Sequence, residues 1–110
     1  MVVTSLSLTV EGPRRERVVR ALRALAAPTS VEPGCIASRV LEEAGNPSHL
    51  FYLEQWETTE QFTAQLKSKR YRTVLEAMEE SVTPPELQFY WVSEAKGIEY
   101  LEAIRLQQCP

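Results

Sequence analysis

The segment from Pro33 to Tyr71 constrains the fold of this 110-residue chain more than its composition does. An extended run in this segment closes on Trp56, and a helix-capping signal follows at once at Thr58 and Gln61. In such a capping box, the hydroxyl and the amide side chain each bond the backbone N–H of the other residue. The pattern therefore predicts a strand that turns abruptly into a helix. Ser68 has the character of a second N-cap, so we expect the helix to break and restart there.

The rest of the chain alternates between strand and helix patterns. Period-two alternation predicts strands, and apolar residues three to four positions apart predict helices. The predicted strands are Val2–Val10, Cys35–Glu43, His49–Glu57 and Leu87–Ser93. The first predicted helix is Arg14–Ala27, which Pro28 ends, and the last is Ile98–Leu106. Between them, a helix begins after Thr58 and restarts with an apolar stripe at Tyr71, Val74, Leu75 and Met78. Gly45-Asn46-Pro47 is a strong turn signal and predicts a hairpin between the second and third strands.

This β-α-β-β-α-β order predicts a ferredoxin-like α+β fold, with a four-stranded antiparallel sheet and both helices on one face. The length suits a single domain over residues 1–110, with a C-terminal extension from about residue 97. Nothing in the pattern covers the other sheet face, which receives either Tyr90 and Val92 or Phe89 and Trp91. A bare aromatic sheet face predicts a binding surface or a dimer interface.

Composition and charge exclude several partner classes. The net charge of -3 gives no electrostatic reason to expect a nucleic acid or an anionic membrane. No apolar run approaches the ~20 residues that span a bilayer. The first residues lack the basic start and apolar middle of a secretory signal. We therefore expect a cytoplasmic protein without nucleic-acid or membrane partners.

Metal-ligating residues are scarce in this sequence. It contains no Asp, one His (His49) and one Asn (Asn46), so it lacks the grouped ligands of zinc sites and calcium loops. Its two cysteines have no CxxC spacing. We interpret Cys35 as a small buried hydrophobe and Cys109 as a thiol of the tail, and a bridge between the two stays open. The sequence predicts no metal site.

Several of these motifs together carry a family resemblance. They are Pro33-Gly34-Cys35, Glu54-Gln55-Trp56, Thr58, Glu60, Phe62, Leu66, Ser68, Tyr71 and Trp91-Val92. With them, the sequence resembles the antibiotic biosynthesis monooxygenase family of dimeric ferredoxin-like domains. The resemblance implies a homodimer, a dimeric α+β barrel in which two sheets meet face to face. It also implies a pocket between each sheet and its helices.

The resemblance further implies chemistry without a cofactor. Some characterised members oxidise quinols or phenols with molecular oxygen and use neither metal nor flavin, while others cleave haem. The chain departs from the family at Gln65, where many relatives carry a His, because an amide can hydrogen-bond but cannot take a proton near neutral pH. Haem cleavage is discounted, since Gln65 and Leu75 stand where those members carry Trp and His.

The candidate site follows from the alternation of side chains along the third strand. Tyr52, Glu54 and Trp56 share one face, so Glu54 is the candidate base and Gln65 a hydrogen-bonding neighbour. Tyr52, Trp56 and Tyr71 are candidates for lining a substrate pocket. The structural alternatives are core packing for the aromatic residues and a salt bridge from Glu54 to Arg39. His49, at a hairpin end, is interpreted as a solvated histidine.

These observations lead to two functional hypotheses. The first is a cofactor-independent monooxygenase that oxidises a phenol or quinol with molecular oxygen. The alternative is a non-catalytic dimeric module that binds a small ligand or a protein, which the replacement of His by Gln65 favours. An isomerase or lyase on the same fold would need a proton shuttle, and the sequence shows none.

Overall fold

The computed structural model describes residues 1–108 and contains one four-stranded antiparallel sheet. Its strands are β1 (Val2–Thr9), β2 (Cys35–Glu43), β3 (Asn46–Trp56) and β4 (Glu86–Trp91), in the spatial order β2-β3-β1-β4. The helices are α1 (Pro13–Ser30), α2 (Thr59–Lys67), α3 (Arg72–Glu79) and α4 (Ile98–Gln108), and a short 3-10 turn at Lys69–Tyr71 joins α2 to α3. The predicted ferredoxin-like α+β fold is confirmed.

Alternation along the strands gives the sheet a helix-covered face and an open face. Residues directly opposite each other on neighbouring strands share a face. Because Trp91 pairs with Val2 and Phe89 with Thr4, both aromatic residues lie on the side of the helices. Tyr90 lies on the open face. The structure thus resolves the alternative that the sequence left open for β4.

The core lies between the sheet and helices α1 and α3. Its buried members include Leu6, Leu8, Leu22, Leu50 and Val74. A smaller buried cluster of Val2, Trp56 and Phe62 lies beside it, under α2. The two clusters fix α2 and the 3-10 turn over the second half of β3, where the candidate site residues lie.

Several predicted element boundaries were wrong. Helix α1 continues through Pro28 to Ser30 and buries Thr29 completely, although a proline in a helix removes a backbone hydrogen bond. Strand β3 begins at Asn46, since Glu43 pairs with Asn46 and the turn is only Ala44-Gly45. Strand β4 ends at Trp91.

The helix break at Ser68 is confirmed. Helix α2 ends there, and the Ser68 hydroxyl donates a hydrogen bond to the Gln65 carbonyl at 2.7 Å. The predicted apolar stripe beyond the break was wrong at Leu75, which is 51% exposed. Ala77 is buried in its place, because in α3 it lies three residues after the buried Val74.

The capping box at the start of α2 is half formed. The Gln61 backbone N–H donates to the Thr58 hydroxyl at 3.2 Å, as predicted. The Gln61 side chain, however, lies against Gly34, where a Cβ would come within 1.9 Å of the Gln61 Oε1 atom. Gly34 also has a φ of 85°, in the left-handed region that favours glycine. Residue 34 therefore needs to be glycine for two separate reasons.

We expect the Gly34→Ala substitution to destabilise the fold by about 1–3 kcal/mol from backbone strain alone, with a further loss from the contact with Gln61. Gly45→Ala is the matched control, because Gly45 has a φ of 84° and a Cβ added there would meet no atom within 4 Å. Urea unfolding of both variants measures the difference. Equal losses in the two variants would show that the contact with Gln61 contributes nothing.

Helix α4 carries several exposed apolar side chains, among them Ile98, Tyr100, Leu101 and Leu106. Cys35 is half-buried rather than buried as predicted, because β2 is an edge strand of the sheet. Cys109 lies outside the described residues, so its predicted role as a tail thiol stays a prediction. No helix within residues 1–108 is long and apolar enough to cross a membrane.

Candidate functional site

A fully buried carboxylate, that of Glu54, lies at the centre of the candidate site. The alternation of β3 directs Glu54 to the helix-covered face together with Tyr52 and Trp56. No Lys, Arg or His side chain among residues 1–108 forms an ion pair with it. A buried charge costs free energy unless hydrogen bonds compensate it. The hydrogen-bond donors to Glu54 therefore determine how much its burial destabilises the fold.

Three side chains donate hydrogen bonds to the Glu54 carboxylate. The Tyr52 hydroxyl donates to Oε2 at 2.5 Å, and the Trp56 indole Nε1 donates to Oε1 at 2.9 Å. The Gln65 amide Nε2 donates to Oε2 at 3.0 Å. Hydrogen bonds to a charged acceptor contribute about 1.5–3 kcal/mol each. Both carboxylate oxygens therefore have a donor, and neutral side chains supply all three.

Tyr52 extends the cluster to the neighbouring strand β2. Its hydroxyl lies 3.0 Å from the Ser38 hydroxyl, and Ser38 is the cross-strand partner of Glu54. Burial raises the pKa of Tyr52 well above its ordinary value, and the charge of Glu54 and the hydrogen bond to it add to the effect. Tyr52 is consequently a neutral donor at neutral pH.

Gln65 connects the carboxylate to the surface. The Arg70 Nε donates to the Gln65 Oε1 at 3.0 Å, and the Arg70 Nη1 lies 2.9 Å from a carboxylate oxygen of Glu32. The Gln65 Nε2 is also 3.4 Å from the hydroxyl of Thr29, at the buried end of α1. A continuous chain of hydrogen bonds thus leads from Glu32 through Arg70 and Gln65 to Glu54.

Tyr71 adds a second buried phenol beside the cluster. It follows Arg70 in the 3-10 turn and is only 6% exposed. Burial, and after it the charge of Glu54, raise the pKa of Tyr71 to about 12. Tyr71 belongs to the same buried core cluster as Tyr52.

The two buried phenols predict a loss of stability at alkaline pH. The folded protein holds the protons of Tyr52 and Tyr71 more tightly than the unfolded chain, in which tyrosine titrates near pH ~10. The free energy of unfolding should therefore fall as the pH rises above about 10, through the pKa of about 12 for Tyr71. Urea unfolding at a series of alkaline pH values measures this slope. Tyr71→Phe should make the slope of the free energy of unfolding against pH less steep. The control Tyr100→Phe removes the hydroxyl of an exposed ring and should leave the slope unchanged. An equal slope in all three proteins would contradict the assignment of the effect to Tyr71.

The structure brings four of the five predicted site residues into direct contact. Tyr52, Glu54, Trp56 and Gln65 are joined by hydrogen bonds, and Tyr71 belongs to the same buried core cluster as Tyr52. The assignment of catalytic and binding roles to these residues stays a prediction.

Two other sequence interpretations concern residues away from the cluster. The alternative salt bridge from Glu54 to Arg39 was wrong, because Arg39 pairs with Leu53 on the opposite face of the sheet. His49 also lies on the open face and is half-buried rather than solvated. Its ring contacts Ser7 at 2.6 Å and Glu43 at 3.5 Å.

Sequence reasoning missed four residues of the network: Thr29, Glu32, Ser38 and Arg70. The hairpin register could have identified Ser38, since it lies opposite Glu54. Thr29 fell beyond the expected end of α1, and Arg70 lies in the short basic run Lys67-Ser68-Lys69-Arg70, which is typical of a solvated surface. No sequence signal singles out Glu32.

Other features of the surface do not extend this site. A groove of about 230 Å³ between α1 and α3 is lined by other residues, among them Arg14, Arg17, Glu76 and Glu80. Within residues 1–108, no three His, Cys, Asp or Glu side chains come together as a metal-binding group. The buried cluster around Glu54 is therefore the candidate functional site.

Structural comparison identifies similar folds in several bacteria. One is a protein of Deinococcus radiodurans named a "putative antibiotic biosynthesis monooxygenase", with 21% identity, a TM-score of 0.78, and coverage of 88% of this chain and 97% of that chain. A protein of the same name from Nitrosomonas europaea has 21% identity, a TM-score of 0.74, and coverage of 86% and 100%. A Bacteroides thetaiotaomicron protein of unknown function, named a "possible oxidoreductase", has 22% identity, a TM-score of 0.72, and coverage of 81% and 94%. At these identities the likeness establishes the fold alone.

Sequence comparison identifies the family. No curated protein matches the chain. The family model of the antibiotic biosynthesis monooxygenases matches residues 1–77, which include β1, α1, β2, β3 and α2 and every residue of the candidate site. The chain belongs to the antibiotic biosynthesis monooxygenase family.

Proposed function

We propose that this protein is a cofactor-independent monooxygenase that oxidises a phenol or quinol with molecular oxygen, and that Glu54 is its base. The observation that supports the proposal is the fully buried Glu54 carboxylate, which neutral donors hold and no cation contacts directly. Well-packed apolar residues are often at least as stabilising as a buried charge. A buried carboxylate surrounded by aromatic side chains is therefore a candidate for chemistry rather than for stability.

The chemistry begins with transfer of the substrate's phenolic proton to Glu54. Tyr52 already donates a phenolic hydrogen bond to this carboxylate, and the hydroxyl of the substrate would bind in the same way before it gives up its proton. The phenolate of a substrate with a hydrogen at the para position then gives one electron to O₂, and the two radicals combine by forming a bond between oxygen and that para carbon. The proton on Glu54 returns to the peroxide. The O–O bond then breaks with loss of the ring proton, which yields a quinone and one molecule of water.

The remaining side chains would position the substrate and exclude water. Trp56 and Tyr52 are held by their hydrogen bonds to Glu54, and both are only 2% exposed. A planar substrate would have to part the side chains that cover these rings before it could stack on them. Tyr71 would close the pocket from the side of the 3-10 turn. Gln65 would hold the carboxylate in place, since its amide can donate a hydrogen bond but cannot act as a base.

The open face of the sheet supports the proposal of a homodimer. It carries Phe51, Leu53, Leu41 and Tyr90, of which Leu41 is 43% and Tyr90 46% exposed. A second copy packed on this face would bury these side chains. Equilibrium sedimentation tests the point, and a stable monomer at micromolar concentration would refute it.

Oxygen uptake with a panel of phenols and hydroquinones tests the proposed activity. We expect uptake by the natural protein that the double variant Glu54→Gln, Trp56→Phe reduces to the rate without enzyme. Glu57→Gln is the matched control, because it makes the same chemical change at an exposed position at the end of β3. Uptake by the natural protein no faster than by the double variant would reject the monooxygenase.

One observation favours the alternative of a non-catalytic binding module. The Glu54 carboxylate is fully buried and already accepts three hydrogen bonds, so a ligand would have to move buried side chains before it reached the carboxylate. Binding of aromatic ligands without oxygen consumption, measured by titration calorimetry and an oxygen electrode, would select this alternative.

A further inference from the structure

The geometry around Gln65 points to a positioning role for Arg70. We propose that Arg70 fixes the orientation of the Gln65 amide and thereby holds the Glu54 carboxylate in the arrangement that its role as a base requires. The role of Glu54 rests on the proposed function, whereas the effect of Arg70 on Gln65 does not. No feature of the sequence assigned a role to Arg70.

Two ends of the Gln65 amide differ in what they can bind. A glutamine side chain has an accepting oxygen and a donating nitrogen, and an arginine can only donate. Because the Arg70 Nε lies 3.0 Å from one end of the amide, that end must be the oxygen. The nitrogen then points to Glu54 Oε2 at 3.0 Å, with the Thr29 hydroxyl at 3.4 Å. Arg70 and Glu54 therefore favour the same orientation of the Gln65 amide, and Arg70 adds to the preference that the carboxylate already imposes.

Rotation of the amide by half a turn would produce two mismatches. The amide nitrogen would face the Arg70 donor, and the amide oxygen would face the negatively charged Glu54. Both ends of the buried Gln65 amide would then lack partners, at about 1–3 kcal/mol each. With Arg70 present the flipped arrangement is excluded, and without Arg70 only the Glu54 contact opposes it.

The helix break makes this contact geometrically feasible. Residues three or four positions apart meet on an α-helix, whereas residues five apart do not share a face. Arg70 follows Gln65 by five positions. The chain leaves the helix at Ser68 and enters the 3-10 turn, which returns Arg70 over the Gln65 side chain. The interruption of the helix thus has a role in the site.

Glu32 anchors the other end of Arg70. The Nη1 atom lies 2.9 Å from the Glu32 carboxylate, while the Nε atom reaches Gln65. A guanidinium can bind two partners in this way because its donors form a rigid planar fork, which a lysine ammonium does not have. Substitution of Arg70 by Lys therefore keeps the charge but loses the paired contacts.

A spectroscopic measurement tests the proposal without substrate. The Trp56 indole N–H donates to Glu54, so its resonance in a proton–nitrogen correlation spectrum reports the position of the carboxylate. We expect Arg70→Met to shift this resonance and Arg70→Lys to shift it less. Lys69→Met is the control in the same turn, and the Trp91 indole, which bonds Thr59, is the internal reference. Circular dichroism establishes that each variant is folded.

The second measurement combines the kinetic constants of Arg70→Met with a double-mutant cycle between Arg70 and Gln65. Arg70→Met should lower kcat by about tenfold, while KM changes little, because a misplaced group costs rate more than binding. In a Gln65→Met background, Arg70→Met should have almost no further effect on kcat or on the Trp56 resonance, since Arg70 would act only through Gln65. Multiplicative effects of the two substitutions, or an unmoved Trp56 resonance in folded Arg70→Met, would overturn the proposal.

The two proposals can fail separately. If the natural protein oxidises no phenol but Arg70→Met still shifts the Trp56 resonance through Gln65, the positioning of Glu54 stands and its role as a base is rejected. If the protein oxidises phenols and Arg70→Met leaves both kcat and the resonance unchanged, the positioning role is rejected and the function stands.

Discussion

Replacing Glu54 with Gln is expected to lower kcat for phenol oxidation by a factor of about 100 to 10,000, the range that general-base catalysis contributes. The amide cannot take up the phenolic proton. It also fits the site poorly, because Tyr52, Trp56 and Gln65 all donate toward residue 54 and the new amide nitrogen would face at least one of them. Initial rates of oxygen uptake measure the effect.

The control for this substitution is Glu57→Gln, at an exposed position just beyond the end of β3. It should keep the rate of the natural protein. Circular dichroism and urea unfolding establish that the Glu54→Gln variant is folded under the conditions of the assay. A folded Glu54→Gln variant with the full rate would show that Glu54 is not the base.

Replacing Trp56 with Ala is expected to give the largest loss of stability, about 3–5 kcal/mol. Trp56 is 2% exposed and packs against Val2 and Phe62. The substitution leaves a cavity under α2 and also removes the donor to Glu54 Oε1. Urea unfolding at neutral pH measures the loss.

Two further variants separate the causes of this loss. Trp56→Phe keeps most of the ring but removes the donor, and should cost about 1.5–3 kcal/mol, the contribution of a hydrogen bond to a charged group. Trp91→Ala is the control, since Trp91 is 61% exposed and only its edge-to-face contact with Phe62 and its bond to Thr59 are lost. A loss for Trp56→Ala no larger than for Trp91→Ala would contradict the role of Trp56 as a buried anchor.

Much of the fold could be predicted because local signals agree with one another. The alternation in β3 identifies which side chains face the helices, and the capping signals locate the start and the break of the second helix. The errors occurred where tertiary packing overrides a local preference. Burial of Thr29 extends α1 beyond Pro28, and the pairing of Glu43 with Asn46 shortens the hairpin turn.

The site could be predicted along β3 but not across the sheet and helix layers. The alternation of side chains along β3 is enough to place Tyr52, Glu54 and Trp56 on one face. The rejection of Arg39 as a partner of Glu54 required the register between β2 and β3, which no short-range pattern determines. The contact of Arg70 with Gln65 depends on the path of the chain after the helix break, so an arginine in a basic run could not be distinguished from a solvated one.

The most direct test of the central claim is the fate of isotopically labelled molecular oxygen during oxidation of a phenol with a free para position. If Glu54 serves as the base of a monooxygenase, the quinone formed by the natural protein contains one labelled oxygen atom per molecule, and the Glu54→Gln variant forms almost none. A quinone without label, or equal labelling and equal rates in the two proteins, would contradict the account.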